Sequence, residues 1–98
     1  MTIEKQSTGN MAEWKLTGWL DTQSAPELEA ELRDLAPEIT SLVLDLSEVE
    51  YISSAGLRVL LAAHKNMVKK GGMKVLHVNE VVQEVFEVTG FADILTIE

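Results

Sequence analysis

The hydrophobic pattern of the chain changes its period several times, and each change predicts a new element of secondary structure. Residues 2–6 and 11–17 look like two strands, the second with apolar and polar residues that alternate from residue 12 to residue 17, whereas residues 42–46 form a nearly unbroken apolar run. Alternation with period two is typical of a half-buried strand, and a short continuous apolar run is typical of a strand buried on both faces. The intervening Ser7-Thr8-Gly9-Asn10 predicts a hairpin turn between the first two strands.

Three further stretches place apolar residues at helical spacing. The first follows Ser24-Ala25-Pro26-Glu27, which has the spacing of a capping box with proline in the first turn. The second begins at the serines before Leu57. The third begins at Asn79, a favoured N-cap residue, and ends at Gly90, the favoured residue after a helix.

The order of these elements predicts an α/β fold. Short apolar runs over residues 73–78 and 94–97 add two strands, and we expect Gly18-Trp19-Leu20-Asp21 to be a break before the first helix. The resulting order, β-β-α-β-α-β-α-β, implies parallel crossovers. We expect a mixed sheet of about five strands with a mostly parallel core and about three to four helices, in a single domain over residues 1–98.

Composition and charge narrow the classes of function. The formal net charge is −8, which argues against nucleic acid as a partner because phosphate backbones bind clustered lysine and arginine. Cysteine is absent, so neither thiol chemistry nor a cysteine-based zinc site is expected. No stretch approaches the roughly 18 apolar residues of a membrane span, and the polar start of the chain is unlike a signal peptide. We therefore expect a cytoplasmic protein without direct membrane insertion.

Two serines stand where the buried strand gives way to the second helix. Ser53 and Ser54 are followed by the small residues Ala55 and Gly56, which let another molecule approach the backbone closely. Serine is also a common N-cap residue, so helix capping is the alternative role. The free N–H groups and the dipole at a helix start favour an anion, which makes this point a candidate phosphate site.

The second helix is the basic element of an acidic domain. Residues 51–79 contain no acidic residue but include most of the basic ones of the chain. Arg58, Lys65 and Lys69 fall on one side of this helix, where a solvated face is the simplest interpretation. Arg58 is also a candidate partner-binding residue.

Trp19 and Asp21 lie in the expected break before the first helix. A tryptophan in such a break can anchor a partner, although a partly buried packing role is the simpler expectation. Asp21 suits an Asx-turn or a cap before the helix.

Patterns of catalytic or metal-binding residues are not found. His64 falls within the apolar face of its helix, where we expect a buried histidine with its hydrogen bonds satisfied, and His77 alternates within a predicted strand. No Ser-His-Asp order, metal-ligand spacing or glycine-rich phosphate loop is present. We therefore expect no catalytic residue, no metal, no cofactor and no enzymatic activity.

Residues 44–57, with the sequence LDLSEVEYISSAGL, resemble the signature of STAS domains, in particular of the small bacterial anti-sigma factor antagonists. The resemblance extends to the GWLD sequence at residues 18–21, to Gly71-Gly72 before a strand, and to the VFEVTGF sequence at residues 85–91. It covers essentially the whole chain and implies a STAS-type fold.

The resemblance also implies which hydroxyl carries the function. In the family, the first hydroxyl residue of an Asp-Ser-Ser/Thr-Gly motif is phosphorylated by a partner that is both a serine kinase and an anti-sigma factor. Ser54 takes that position here, and Asp21 resembles a contact near the phosphoacceptor. Ser53 stands where the family commonly has aspartate, and Ala55 where it has serine or threonine. Ser53 is therefore the neighbouring hydroxyl that could compete as a secondary acceptor.

The function implied by the resemblance is partner switching. The unphosphorylated form would bind an anti-sigma factor/serine kinase of histidine-kinase-like ATPase fold and release the sigma factor. Phosphorylation would reverse this, and a serine phosphatase would restore binding. With Trp19 and Arg58 added from their places in the sequence, the candidate partner-binding residues are Asp21, Trp19, Ser53, Ser54, Ala55, Gly56 and Arg58.

Partner switching has two alternatives. A STAS accessory subunit could regulate a membrane transporter, for example a lipid-transport ATPase, with the serine helix as a docking face and no phosphate cycle. A carrier protein with a prosthetic group on the serine conflicts with the strand-rich pattern, because carrier domains are helical bundles.

Overall fold

The computed structural model describes residues 1–98 and has one sheet of four strands with the helices packed on one of its faces. The predicted α/β fold is confirmed. The elements are β1 (Thr2–Thr8), β2 (Met11–Leu20), α1 (Ala25–Arg33), β3 (Ser41–Ile52), α2 (Ser54–Val68), β4 (Met73–Leu76) and α3 (Glu80–Thr89), followed by a 3₁₀ turn at Phe91–Asp93.

The sheet has the strand order β1-β2-β3-β4. β1 and β2 pair antiparallel, while β2 with β3 and β3 with β4 pair parallel. A two-residue turn joins β1 to β2, and its first residue, Gly9, has a φ of 61°, which glycine adopts without strain. The helices α1 and α2 are the parallel crossovers from β2 to β3 and from β3 to β4 that the element order implied, and α3 follows the last strand.

The core lies on the sheet face that the helices cover. Cross-strand neighbours on this face are apolar, as in the pairs Trp14 with Leu44 and Leu44 with Val75, and all three are buried. Each helix contributes a fully buried apolar side chain to the same cluster: Leu28, Leu60 and Phe86. The opposite face carries charged residues such as Glu13, Lys15 and Asp45.

The strands β2 and β3 are longer than predicted, and the additional residues lie at the end of the sheet that precedes Asp21 and Ser53. The expected break at residues 18–21 is wrong, because β2 continues to Leu20 and stays paired with β3 up to Ile52. Two register shifts, one of them next to Gly18, let the paired strands continue past residues whose local pattern indicated a break. Beyond β4, the two strands form a two-stranded extension.

The expected fifth strand over residues 94–97 is wrong. The chain forms the 3₁₀ turn after α3, and Ile97 makes only an isolated parallel bridge to Val75. β4 has only four residues, so its outer edge offers too few backbone groups for a longer ladder. The Val75 N–H donates to Thr96 O at 2.8 Å, and the Glu98 N–H donates to Val75 O at 2.9 Å.

Candidate functional site at the ends of β2 and β3

The two-stranded extension brings Asp21 and the serines to the same end of the sheet. Leu20 and Ile52 are cross-strand partners, and the Ser53 N–H donates to Leu20 O at 2.9 Å. Asp21 and Ser53 therefore leave neighbouring strand ends side by side. The structure thus brings together two segments that are about 30 residues apart in sequence.

The two serines have different environments. Ser53 is the N-cap residue of α2, and its side chain accepts a hydrogen bond from the Gly56 N–H at 3.4 Å. Ser54 is the first residue of the helix and is exposed, and its hydroxyl has no hydrogen-bond partner within the protein. Capping, the alternative role of these serines, is thus performed by Ser53, and the Ser54 hydroxyl is free for chemistry with another molecule.

Gly56 holds the start of α2 against the strand ends. A β-carbon at this position would lie 2.7 Å from Leu20 Cγ, 2.8 Å from Leu20 O and 3.0 Å from Ile52 Cγ1. Only glycine allows so close an approach. The small side chain of Ala55 is half-buried beside it. Gly56 therefore contributes packing that positions Ser54, and its own surface is buried.

Asp21 organises the loop before α1. Its Oδ1 accepts hydrogen bonds from the Gln23 N–H at 3.0 Å and from the Ser24 N–H at 3.1 Å. The backbone hydrogen bond from Ser24 is the largest cause that holds the pKa of the Asp21 carboxyl below its ordinary value, against a smaller opposing effect of desolvation. The carboxylate therefore keeps its negative charge at neutral pH, and its support of the loop is lost only as the pH falls below the ordinary aspartate range.

Ser24 does not form the predicted capping box with Glu27. Its side chain makes no cap hydrogen bond to α1, because its hydroxyl donates to Trp19 O at 2.6 Å. The same oxygen accepts from the Asp21 N–H at 2.9 Å. Ser24 is buried, and its two hydrogen bonds connect the loop to the end of β2. The Asp21 side chain accepts from the N–H two residues later, so the Asx-turn expectation for Asp21 is confirmed.

An aromatic pair lies exposed just before the two strand ends. Trp19 and Tyr51 are cross-strand neighbours with ring centroids 5.5 Å apart and an interplanar angle of 50°. Their exposed fractions are 57% and 44%, so the expectation that Trp19 is partly buried is wrong. The Trp19 Nε1–H donates to Glu50 Oε2 at 3.2 Å, which fixes the indole on the surface. We call Trp19 and Tyr51 the aromatic pair.

The sequence pattern did not identify Tyr51 and Glu50 as parts of this surface. Once β2 and β3 are known to extend to Leu20 and Ile52, alternation places Trp19 and Tyr51 on the face opposite the core. Glu50 does not follow this alternation, because it is the extra residue of β3 at the register shift between Gly18 and Trp19. The signal was therefore present in the chain, but it became readable only with the correct strand ends.

Arg58 lies one helical turn beyond Ser54 on α2 and is exposed. It lines a shallow cleft between α1 and α2 with Pro26, Glu29 and Ala55. No carboxylate of the chain forms an ion pair with it; the pairs within the chain involve Lys5, Arg33, Lys74 and His77.

The two histidines lie away from this end of the sheet. His64 is half-buried, and its Nδ1 is buried without a hydrogen-bond partner, so the expectation of a satisfied histidine is wrong. His77 follows β4 instead of alternating within it, because its φ of 58° turns the chain out of the strand. Its Nδ1 lies 3.3 Å from Asp45 Oδ1, in the middle of β3.

No cluster of three or more acidic or histidine side chains is arranged to hold a metal ion. None of the helices has the length and apolar character needed to cross a membrane.

Comparison with known proteins identifies the family. A family model described as "Mlab, STAS domain" matches residues 3–96. The anti-sigma-B factor antagonist of Bacillus subtilis is 31% identical over 98 residues, which are 99% of this chain and 90% of that protein. The chain therefore belongs to the STAS domain family. Within it, the chain belongs with the bacterial anti-sigma factor antagonists.

Solved structures share the fold. The crystal structure of an anti-sigma factor antagonist from Mycobacterium paratuberculosis matches with a TM-score of 0.87 at 25% identity, over 98% of this chain and 83% of that one. The structure of the Bacillus cell fate determinant SpoIIAA in its phosphorylated form matches with a TM-score of 0.75 at 15% identity, over 99% of this chain and 91% of that one. The second match shows the common fold alone.

Proposed function

We propose that this protein is an anti-sigma factor antagonist that switches partners through phosphorylation of Ser54. The unphosphorylated form binds an anti-sigma factor that is also a serine kinase of histidine-kinase-like ATPase fold, and thereby frees a sigma factor. A serine phosphatase restores this form, and the cycle takes place in the cytoplasm. The observation that carries the proposal is the exposed, unpartnered Ser54 hydroxyl at the end of the sheet where Asp21 also lies.

The proposed modification needs only a hydroxyl acceptor on this chain. The kinase transfers the γ-phosphoryl group of ATP to Ser54 Oγ, so a phosphorus–oxygen bond to Ser54 forms, the bond to the β–γ bridging oxygen breaks, ADP leaves and the hydroxyl proton is released. Ser54 meets the steric requirement because it is exposed at the start of α2. The protein is thus a substrate of the kinase and supplies no catalytic group.

A phosphate at Ser54 changes binding mainly through charge. It adds about −1.5 to −2 charges at neutral pH. A single like-charge pair about 6 Å apart, at an effective dielectric constant of about 20, costs about 3 kcal/mol, or about a hundredfold in affinity. The fold itself need not change, because the first turn of a helix accommodates an anion.

Mapping of the phosphate after incubation with candidate anti-sigma kinases and ATP tests this proposal. Mass spectrometry should place the phosphate on Ser54 in the wild type and in Ser53→Ala, and Ser54→Ala should take up none. The difference is expected because the Ser53 hydroxyl caps α2 whereas that of Ser54 is free. Phosphate on Ser53 alone, or no phosphate with any kinase that binds the domain, would contradict the assignment. No observation in the structure favours the alternative of a transporter subunit. The absence of phosphate with every kinase that binds the domain would make this alternative the better explanation.

We further propose that the aromatic pair anchors the partner. Exposed tryptophan and tyrosine side chains dominate the energetics of many interfaces, and these two lie directly before the strand ends that carry Asp21 and Ser53. The hydrogen bond to Glu50 holds the indole in place, which lowers the entropy lost on binding.

Replacement of Trp19 by alanine should weaken binding of the unphosphorylated domain to its anti-sigma partner by about thirtyfold, or about 2 kcal/mol. Stability should change little because the side chain is mostly exposed. Isothermal titration calorimetry measures the affinity, and Val88→Ala, a change at an 80% exposed position on α3, is the matched control. Equal affinities of Trp19→Ala and Val88→Ala for the partner would mean that Trp19 does not lie in the interface.

A further inference from the structure

Arg58 is a cation without a partner next to the proposed phosphoacceptor. It is exposed, forms no ion pair and lies four residues after Ser54 on the same helix. Arg33 and Lys74, by contrast, are paired with Glu29 and with Glu98 at 3.1 Å. Lys65, Lys69 and Lys70 are also exposed and unpaired, but they lie near or beyond the C-terminal end of α2, so Arg58 is the unpaired cation closest to Ser54 along this helix. Its isolation follows from the sequence, because residues 51–79 contain no acidic side chain.

The helix places Arg58 where it can reach a phosphate on Ser54. Residues four apart on a helix are neighbours on one face, with β-carbons about 5–6 Å apart. Side chains on a helix also lean toward its N-terminus, and this tendency favours conformations of Arg58 that bring its guanidinium toward Ser54. A phosphoserine side chain is longer than serine and carries three acceptor oxygens.

We infer that Arg58 pairs with the phosphate on Ser54 and is the positioning residue of the phosphorylated state. This inference rests on the proposed function, in which Ser54 is the phosphoacceptor. The planar guanidinium donates two parallel N–H···O hydrogen bonds to two phosphate oxygens, a geometry that lysine cannot reproduce. The phosphate is then held along the surface of α2, and the phosphorylated domain is stabilised without any change of fold.

Two other charged groups face this point from neighbouring elements. Asp21 lies at the end of β2, and its carboxylate is engaged by the Gln23 and Ser24 N–H groups. Glu29 of α1 lines the same cleft as Arg58 but is paired with Arg33. Both are anions, so they repel the phosphate, and Arg58 is the cation that this part of the molecule offers to it.

A domain with phosphoserine installed at position 54 by genetic code expansion tests the inference without any kinase. ³¹P NMR gives the midpoint of the second phosphate ionisation. We expect this midpoint to be about half a pH unit lower in the wild type than in Arg58→Gln, because the guanidinium favours the dianion. Arg58→Lys should give an intermediate value. Lys65→Gln is the matched control, because Lys65 is exposed and lies about 16 Å from Ser54 along α2. Its ³¹P midpoint should equal that of the wild type.

Thermal unfolding gives a second readout. Arg58→Gln should lower the midpoint of the phosphorylated domain by about 4 °C and that of the unphosphorylated domain by less than about 1 °C. Equal ³¹P midpoints for the wild type and Arg58→Gln, or equal effects of the substitution with and without phosphate, would overturn the inference and leave phosphorylation of Ser54 standing. Conversely, a kinase assay that finds no phosphate on Ser54 would overturn the proposed function. The pairing of Arg58 with the phosphoserine installed at position 54, measured by ³¹P NMR, would still stand.

Discussion

Alanine in place of Gly56 should lower the free energy of unfolding by about 2 to 3 kcal/mol. The added β-carbon would lie 2.8 Å from Leu20 O, a backbone atom that cannot move without moving the end of β2. Intrinsic helix propensity acts in the opposite direction, because alanine is favoured over glycine in a helix by about 1 kcal/mol. The sign of the measured change therefore decides whether close packing or propensity dominates at this position.

Urea denaturation followed by far-UV circular dichroism measures this change. The matched control is Ala62→Gly, an exposed position of the same helix, which reports propensity alone and should cost about 1 kcal/mol. If Gly56→Ala is as stable as the wild type or more stable, α2 does not rest on the strand end as closely as a 2.8 Å approach to Leu20 O requires. In that case the position of Ser54 would also need revision.

Phosphorylation of Ser54 should reduce affinity for the anti-sigma partner by about a hundredfold or more. The estimate is the cost of one like-charge pair at an effective dielectric constant of about 20. Ser54→Asp should have the same direction and a smaller effect, because it adds one charge on a shorter side chain. Neither change should lower the stability of the domain, since Ser54 is exposed and its hydroxyl has no partner to lose.

The control for the aspartate variant is Ser7→Asp. Ser7 is also exposed, but it lies in β1 beside the hairpin turn, at the opposite end of β2 from Asp21. It changes the net charge equally and should leave affinity within about twofold, because surface charges far from an interface are screened by salt. Similar losses for the two variants would mean that net charge, and not the place of the charge, controls binding.

Much of the fold could be predicted because its signals are local. Asn79 caps α3 by accepting from the Val82 N–H at 2.9 Å, and Gly90 ends it with a φ of 83°, as their residue types indicated. The serines at the strand-to-helix junction are a signal of the same kind. The charged face of α2 follows directly from its sequence, with Arg58 and Lys65 exposed.

The strand ends could not be predicted from the sequence because pairing between strands overrides local preference. Gly18 indicates a break, and its φ of 111° shows that the backbone there is unusual. β2 nevertheless continues, since a register shift next to Gly18 lets Trp19 and Leu20 pair with Tyr51 and Ile52 of β3. The sequence therefore indicated Trp19 as a candidate partner-binding residue but not its pairing with Tyr51.

The loop before α1 shows a second limit of sequence patterns. Ser24 and Glu27 have the spacing of a capping box, but the Ser24 hydroxyl donates to Trp19 O instead. Trp19 O, which takes the Ser24 hydroxyl away from the capping box, lies near the end of β2, where the sequence pattern predicted a break. Asp21 then provides the turn by accepting from the Ser24 N–H.

Calorimetric titration of the anti-sigma partner into one sample of the domain, carrying phosphoserine at position 54, tests the central claim most directly. The sample is measured before and after treatment with a phosphatase, with complete removal of the phosphate verified by intact mass. The account predicts weak or undetectable binding before treatment and a gain of about a hundredfold or more afterwards. Equal affinity in the two measurements would contradict it.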